Sequence, residues 1–394
     1  MEPELKLTTH WQHDPRLMRL FAALKEGDGT PRLVGGAVRD ALLGIPQDDY
    51  DVAINQPPEM VIESLEKAGI NFVPTGLQHG TVTAIVKGHP YQITSLRTDL
   101  RTDGRHAEVA FTDDWRADAM RRDFTINALY GDLDGHIYDP CGGVEDLNQH
   151  CVRFIGAPLE RIQEDYLRIL RFFRFSAYYG KGELHPASLM ACIRLAPHIQ
   201  QLAKERITQE FLKLLKAPYV VSVLKAMIES GILQVFLEEP FDLAGFEKMV
   251  NFASPDSLPR LAAAGVRPEV VFGALRLSNQ DIKRYKMMFL PEIVNASNII
   301  RLLYLYGPQT VSDWANLQGA RGEEFDPEWC EIIQAYTRPR FPLNGQDVLK
   351  KGISGPKTGE LLRMVEGWWI DNAFQPHRKE CLAKLDHLVE NEGS

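Results

Sequence analysis

The most constraining feature of this 394-residue chain is the run LVGGAVRDALLGIPQDDYDVA, which begins at Leu33. It predicts a strand, a turn at Gly35 and Gly36, a helix, and a second strand that carries Asp49 and Asp51. Side chains alternate along a strand, so residues two apart point the same way. The two carboxylates are therefore predicted to face one side, where they can hold shared divalent metal ions.

The glycine pair and the arginine after it suggest an anion site. Without a Cβ atom, the backbone at Gly35 and Gly36 can turn sharply and approach a triphosphate closely. Arg39, on the predicted helix, can reach phosphate oxygens. Alone, a Gly-Gly pair is most often only a turn, and Asp-x-Asp is most often a solvated loop or an Asx turn. Their order within one short run is typical of two-metal nucleotidyl transfer.

A second motif, RRDFTINALY, occupies residues 121–130. Arg122 can neutralise a triphosphate oxygen, and Asp123 can accept a hydrogen bond from a ribose hydroxyl. The alternative interpretation is a surface helix with a charged first turn.

A third motif, EDYLRILRFFRF, begins at Glu164. It spaces four charged residues three apart, so that neighbours share a helix flank: Asp165, Arg168, Arg171 and Arg174. An Asp-Arg pair presents both an acceptor and donors, which is what recognition of a base edge requires. The alternative is an amphipathic helix with intrahelical salt bridges.

Composition narrows the partners. A formal charge of −9 and a pI near 5.7 argue against a protein that coats nucleic acid non-specifically. The basic residues nevertheless cluster locally, as a nucleic-acid partner would require: Arg116, Arg121, Arg122, Arg153, Arg161, Arg168, Arg171 and Arg174. No run approaches about 20 apolar residues, so no membrane association is expected. The five cysteines have no CxxC spacing, and they favour a reducing cytoplasm over a disulfide or zinc framework.

Periodicity predicts an α+β chain. A helix is expected over 14–25, and a hairpin is expected from Thr81–Lys87 and Tyr91–Leu96, joined at residues 88–90. From Ala157 onward helical spacing dominates, and PLERIQEDYLRILRFFRFSAYY predicts one long helical window. We expect a head domain at 1–155, a neck at 156–220, and a body and tail at 221–394.

Three motifs resemble those of the class II tRNA nucleotidyltransferase and bacterial poly(A) polymerase family. LVGGAVRDALLG with DYDVA, RRDFTINALY and EDYLRILRFFRF carry this likeness, which covers about residues 30 to 215 well and the rest loosely. The resemblance implies a polymerase β-like mixed sheet with helices, followed by an all-helical neck, body and tail. It also implies that CMP, CMP and AMP are added to tRNA 3′ ends from CTP and ATP, without a template.

The resemblance also assigns roles to residues of this chain. Asp49 and Asp51 would be the catalytic ligands of two Mg²⁺ ions. The nucleotide would be bound by Gly35, Gly36, Arg39, Arg122, Asp123, Asp165, Arg168, Arg171 and Arg174, with Asp165 and Arg168 pairing with the base. The helical C-terminal half would follow the acceptor stem and T arm of tRNA. Glu205 and Arg206 in KERITQE are expected to be architectural.

One position departs from the family. A third acidic residue is commonly found on the strand beside Asp-x-Asp, and here YQITSLR places Gln92 where it is expected. An amide cannot take a proton from the attacking hydroxyl, and it is a weaker ligand than a carboxylate for a hard cation. Either the role is dispensable or the alignment of this strand is wrong.

Three other functions stay open on the sequence. A poly(A) polymerase or a partial CC- or A-adding enzyme would keep the chemistry and change the product. The charged stretch at 97–120 favours full CCA addition over CC alone, and the acidic ending KLDHLVENEGS does not favour a poly(A) polymerase. A catalytically decayed RNA-binding protein is the third alternative, with Gln92 as its sign.

Overall fold

The computed structural model describes residues 1–102 and 107–392. It divides into two units, one formed by Met1–Leu243 with Glu269–Leu277 and the other by Ala244–Pro268 with the chain from Ser278 onward. The boundaries expected after residues 155 and 220 both fall within the first unit, and they stay a prediction.

The first unit is built on an eight-stranded mixed sheet of order β1-β10-β9-β2-β3-β6-β5-β4, with a separate β7-β8 ladder. The strands are β1 (Leu5–Lys6), β2 (Pro31–Val34), β3 (Val52–Ile54), β4 (Asn71–Gly76), β5 (Thr81–Val86), β6 (His89–Ser95), β7 (Arg97–Thr102), β8 (Ala107–Phe111), β9 (Tyr130–Gly131) and β10 (His136–Tyr138). β3 and β6 run parallel, and the other ladders are antiparallel. The ladder of β7 and β8 lies within the charged stretch that begins at residue 97.

At β3 the sheet is buried on both faces, which explains the continuous apolar run of this strand. Val52 and Ile54 belong to a cluster that includes Leu20 of the first helix, whereas Ala53 packs in a second cluster with Tyr130. Successive side chains of β3 therefore pack into two separate hydrophobic clusters, one on each face of the sheet.

Helices of the first unit flank the sheet and then continue without further strands among the described residues. They are α1 (Pro15–Glu26), α2 (Gly36–Leu42), α3 (Pro58–Lys67), α4 (Trp115–Met120), α5 (Gly143–Asn148), α6 (Pro158–Glu164), α7 (Leu167–Tyr179), α8 (Pro186–Leu195), α9 (Lys204–Leu215) and α10 (Val220–Glu229). The predicted α+β class and the predicted helical region after residue 157 are confirmed.

The second unit is helical throughout its described residues. The remaining helices of the chain are α11 (Leu243–Phe252), α12 (Ser257–Ala263), α13 (Pro268–Ala274), α14 (Asn279–Met287), α15 (Ile299–Tyr306), α16 (Pro308–Ala320), α17 (Glu328–Ala335), α18 (Gly345–Leu349), α19 (Pro356–Asp371) and α20 (Arg378–Glu392). Most of α13 belongs to the first unit. Trp314 and Trp329 lie in one apolar cluster of the second unit, and Trp369 lies in another.

Two details of the sequence prediction are wrong. Asp49 and Asp51 precede β3 rather than lying within it, since that strand begins at Val52. The long helical window is interrupted, because Asp165 has an extended backbone (φ −156°, ψ 108°) and separates α6 from α7. The hairpin is confirmed with a shorter connection, since β6 already begins at His89.

None of the helices in the described ranges is long and apolar enough to cross a lipid bilayer.

Candidate active site

A cavity of about 530 Å³ opens in the first unit where the three sequence motifs meet. Six arginines and three aspartates are among its lining residues, which are Val34, Gly35, Gly36, Arg39, Asp51, Arg121, Arg122, Asp123, Asn127, Asp165, Leu167, Arg168, Arg171, Phe175 and Arg206. Two residues predicted for the site, Asp49 and Arg174, lie outside this lining. The sequence motifs thus converge on one strongly polar chamber.

The backbone before β3 sets the direction of the acidic pair. Tyr50 is buried and its hydroxyl donates to the Gln47 carbonyl at 2.7 Å, so the side chains of Asp49 and Asp51 alternate away from the core. The Val34 amide donates to the Asp51 carbonyl at 3.0 Å, which ties the pair to the strand that precedes the glycine turn. Asp49 and Asp51 are both exposed residues, and Asp51 lines the cavity.

The charge state of this pair favours a cation. The pKa of the Asp51 carboxyl is raised because surrounding protein displaces water and because Asp49 carries a like charge, although Arg122 acts in the opposite sense. The structure gives neither carboxylate a hydrogen-bond or ion-pair partner among the described residues. In a cavity where the other carboxylates are paired with arginine, these two fit a divalent metal ion.

Gln92 lies on the strand beside this pair, as predicted. The parallel register pairs Val52 with Ile93, which places Gln92 next to Asp51 on the neighbouring strand. Its side chain is exposed, and Thr83 is its partner on β5. An amide therefore lies beside Asp51, where the family resemblance leads us to expect a third acidic residue.

The glycine turn has a backbone that other residues avoid. Gly35 has φ +65° and ψ −114°, and its amide donates to the Leu129 carbonyl at 3.0 Å. A Cβ atom at this position would lie 3.5 Å from the Asn127 carbonyl oxygen. Glycine is needed here for its conformation, and it leaves the backbone bare at the cavity wall.

Arg39 is buried and already engaged within the protein. Its guanidinium donates to the Asp40 carboxylate at 2.9 Å, to Asn127 Oδ1 at 2.6 Å and to the Tyr179 hydroxyl at 2.7 Å. The group also lies over the Tyr179 ring, 4.0 Å from its centroid. Its position is therefore fixed before any ligand binds.

Arg122 is held by a carboxylate that the sequence analysis did not single out. Asp118, which is 1% exposed, accepts from Arg121 at 2.7 Å, from Arg122 at 2.9 Å and from the Tyr130 hydroxyl at 2.7 Å. Burial alone would raise the pKa of Asp118, but the charges of Arg122 and Arg121 outweigh it and lower the pKa to about 2. Asp118 is thus an anion at neutral pH, and it orients two cavity arginines.

The Asp123 carboxylate is also bound by other groups of the protein. Its Oδ1 accepts from the Phe124 amide at 2.9 Å and from Asn127 at 3.0 Å, and its Oδ2 accepts from Arg171 at 2.7 Å. Burial opposes ionisation, yet Arg171 and Asn127 lower the pKa of Asp123 to about 2. Asp123 therefore reaches the cavity as the partner of Arg171.

The Asp-Arg pair of the third motif does not pair with itself. Asp165 accepts from Arg206 at 2.7 Å and from the Leu167 amide at 3.1 Å, whereas Arg168 donates to Glu164 at 2.5 Å and to the Arg161 carbonyl at 2.7 Å. The two side chains are presented separately, one from the break between helices and one from α7. Arg174 pairs with Glu210 at 2.6 Å, away from the lining.

The sequence analysis missed several residues of this site. Arg206 was expected to be architectural, yet it lines the cavity and holds Asp165. Asn127 lies within the RRDFTINALY motif, so its position in that motif could have indicated it as a site residue. Tyr179 ends the predicted helical window and carried no signal of its own.

A second group of possible metal ligands lies in the turn between β9 and β10. Ligand atoms of Asp132, Asp134 and His136 all lie within 4.8 Å of one another. Asp132 already accepts from the amides of Asp134 and His136, each at 2.9 Å, and from the Tyr138 hydroxyl at 3.0 Å. This group is outside the cavity lining, and its hydrogen bonds account for it as a turn.

Comparison with known families defines the class of protein. The model for "Poly A polymerase head domain" matches residues 31–153, which include the glycine turn and the acidic pair. A second model, "Probable RNA and SrmB- binding site of polymerase A", matches residues 183–242. Together with the unpartnered carboxylates beside an arginine-lined cavity, these matches define a nucleotidyltransferase.

Whole-chain relatives narrow the class. The chain is 34% identical to the human mitochondrial CCA tRNA nucleotidyltransferase 1, over 90% of this chain and 86% of that protein. It is 31% identical to the CCA-adding enzyme of Anoxybacillus flavithermus, over 89% of this chain and 91% of that protein. The crystal structure of the Bacillus stearothermophilus CCA-adding enzyme in complex with CTP matches with a TM-score of 0.78 and 27% identity, covering 96% of this chain and 99% of that one.

The chain belongs to the CCA-adding tRNA nucleotidyltransferase family. Membership of a nucleotidyltransferase family implies the use of divalent metal ions.

Proposed function

We propose that the protein adds CMP, CMP and AMP stepwise to tRNA 3′ ends, using CTP and ATP and releasing pyrophosphate. The observation that carries this proposal is the pair Asp49 and Asp51, which is unpartnered among the described residues at the edge of a cavity lined by arginines. The likeness to CCA-adding enzymes over most of the chain supports the choice of product.

Asp49 and Asp51 are proposed to hold two Mg²⁺ ions, because hard cations prefer carboxylate oxygens. When bound, such ions lower the pKa of the attacking 3′ hydroxyl and stabilise the leaving pyrophosphate. Among the described residues that line the cavity, the other two carboxylates, Asp123 and Asp165, each accept from an arginine and so do not compete for this task.

The triphosphate is proposed to lie along Gly35 and Gly36, beside Arg39 and Arg122. The glycine backbone permits close approach, and the two guanidinium groups supply positive charge from positions fixed by Tyr179 and Asp118. Preorganised charge needs no rearrangement when the pyrophosphate leaves, so it stabilises the transition state more than flexible side chains would.

Base choice is proposed for Asp165 and Arg168, which are presented at the cavity without pairing with each other. One supplies an acceptor and the other supplies donors, which together can match the edge of a base without a template. Asp123 and Arg171 are proposed to bind the ribose side as a unit. Arg174 is proposed to contribute through Glu210 and the flank of α7 rather than by direct contact.

The RNA partner is proposed to be the acceptor stem and T arm of tRNA, recognised by backbone shape in the helical C-terminal half. We also propose a cytoplasmic location, which the five unpaired cysteines favour.

Incubation of the purified protein with tRNA lacking CCA, and with each nucleotide alone or together, tests the proposal. Sequencing of the 3′ ends is expected to show CC with CTP alone and CCA with both nucleotides. Extended A-tails on unrelated RNA would identify a poly(A) polymerase, CC or A alone would identify a partial enzyme, and no product would indicate a decayed RNA-binding protein.

A further inference from the structure

The Arg39 guanidinium connects three separate parts of the first unit. Asp40 belongs to α2, Asn127 to the turn that follows the RRD sequence, and Tyr179 to the last position of α7. Arg39 is only 6% exposed, and its contacts with Asp40 and Asn127 are buried, whereas its contact with Tyr179 is partly buried. Charge-assisted hydrogen bonds in such surroundings are strong and directional.

A second connection joins the same parts. Asn127 donates to Asp123 at 3.0 Å, and Asp123 accepts from Arg171 at 2.7 Å. Arg171 and Tyr179 are both on α7, eight residues apart, which is about 12 Å along a helix. The glycine-turn helix α2 is therefore tied to α7 at two points.

The other end of α7 carries the candidate base-selecting residues. The helix begins at Leu167, immediately after the break that contains Asp165, and Arg168 lies in its first turn. Its inner face is firmly packed, with Phe172 and Phe173 fully buried. A packed helix behaves as a rigid rod, so its C-terminal attachment also fixes its N-terminal end.

We propose that Tyr179 is a specificity-determining positioning residue: through Arg39 it sets the position of α7 relative to the glycine turn, and so the discrimination of cytosine and adenine nucleotides from uracil and guanine nucleotides. This rests on the proposed function, since it concerns the same nucleotide site. Tyr179 itself lies outside the cavity lining and needs no contact with the nucleotide.

The test compares Tyr179→Phe with Tyr178→Phe. The control removes a hydroxyl from the adjacent position. The Tyr178 hydroxyl donates to the Lys213 carbonyl at 3.2 Å, whereas the Tyr179 hydroxyl accepts from Arg39. The ratio of kcat/KM for CTP to that for UTP is expected to fall about tenfold in Tyr179→Phe, the effect of one hydrogen bond to a charged group. The control is expected to keep the wild-type ratio, and both variants are expected to stay folded at the assay temperature.

Two further measurements separate positioning from general damage. Arg39→Lys keeps the positive charge but lacks the planar guanidinium, so the ratio of kcat/KM for CTP to that for UTP is expected to fall in this variant as well. The double variant of Arg39→Lys with Tyr179→Phe is expected to show no further fall in that ratio. Direct titration of CTP and UTP binding, without any RNA substrate, is expected to show the same fall in the preference for CTP over UTP.

An unchanged ratio in Tyr179→Phe would overturn the proposal, as would an equal loss with both nucleotides or additive losses in the double variant. If the wild-type protein fails to extend tRNA but binds CTP selectively, and if that selectivity is lower in Tyr179→Phe, only the proposed function is refuted. Wild-type binding without selectivity would refute both.

Discussion

The Asp165 carboxylate accepts a hydrogen bond of 2.7 Å from the guanidinium of Arg206, a residue 41 positions further along the chain. Asp165 lies in a break between two helices, where no helical backbone holds its side chain. Arg206, on α9, therefore orients the Asp165 side chain, whereas Arg168 is positioned by its own helix, α7. The acceptor and the donor proposed for base choice are positioned by different elements.

Replacement of Arg206 is expected to release Asp165. Arg206→Gln should lower kcat/KM for CTP by about 10- to 100-fold, since a hydrogen bond between charged groups is lost in a partly shielded site. Glu205→Gln is the matched control on the same helix, because its only ion pair among the described contacts is a 3.9 Å approach to Arg276 at the surface. Equal activity of Arg206→Gln and wild type in single-turnover CMP addition would contradict this role.

Gln92 is expected to be tolerated rather than damaging. If Asp49 and Asp51 with the substrate phosphates suffice to hold the ions, solvent or substrate can accept the hydroxyl proton. Gln92→Glu should then change single-turnover nucleotide addition by less than about tenfold. Gln92→Leu, which lacks any ligand atom at that position, is the control, and a gain of hundreds-fold in Gln92→Glu would show that the natural protein is impaired.

The acidic pair should lower stability in the absence of metal. The pKa of Asp51 is raised in the folded protein, so its charged form is disfavoured there and stability is gained as the pH falls through that pKa. Asp51→Asn is therefore expected to raise the melting temperature at pH 7 in chelator, with a difference that shrinks at lower pH. The same variant should lose at least about 100-fold in activity with metal.

Asp48→Asn provides the control for this experiment, since Asp48 is the neighbouring exposed carboxylate outside the cavity lining. It is expected to change neither quantity appreciably. A lower melting temperature for Asp51→Asn in chelator would argue against a site with excess negative charge.

Asp118 is expected to be a major source of acid-sensitive stability. Its folded pKa of about 2 lies below the ordinary value of 3.8, so its contribution is complete above the ordinary value and is lost as the pH falls towards 2. Asp118→Asn should destabilise the protein by about 3 kcal/mol at neutral pH, because two arginines lose a buried anionic partner.

The matched control is Asp114→Asn, since Asp114 caps the same helix and asparagine is an equally good N-cap. Denaturant unfolding at several pH values would show whether the variant at Asp118 has lost the acid dependence of the wild type. An unchanged dependence would locate that sensitivity elsewhere.

How much the sequence predicted depends on how local each feature is. Helix α1 was predictable from apolar spacing, and the β5–β6 hairpin from β-branched runs around a glycine. The Asp-x-Asp pair was placed correctly beside the strand of Gln92, although it lies just before β3.

Features that depend on distant partners were not predictable. The break at Asp165 has no proline or glycine to mark it, and the bond to Arg206 forms only in the folded chain. For the same reason, the arginine cluster resembled an open basic surface in the sequence. Each of its four cavity arginines instead pairs with a carboxylate: Arg121, Arg122, Arg168 and Arg171.

Co-crystallisation with CTP and Mn²⁺, with anomalous diffraction to locate the ion, tests the central claim most directly. The account predicts manganese within about 2.0 to 2.3 Å of carboxylate oxygens of both Asp49 and Asp51, the triphosphate along Gly35 and Gly36, and the cytosine edge at Asp165 and Arg168. Manganese at Asp132, Asp134 and His136 instead, or a cytosine directed away from Asp165, would contradict it.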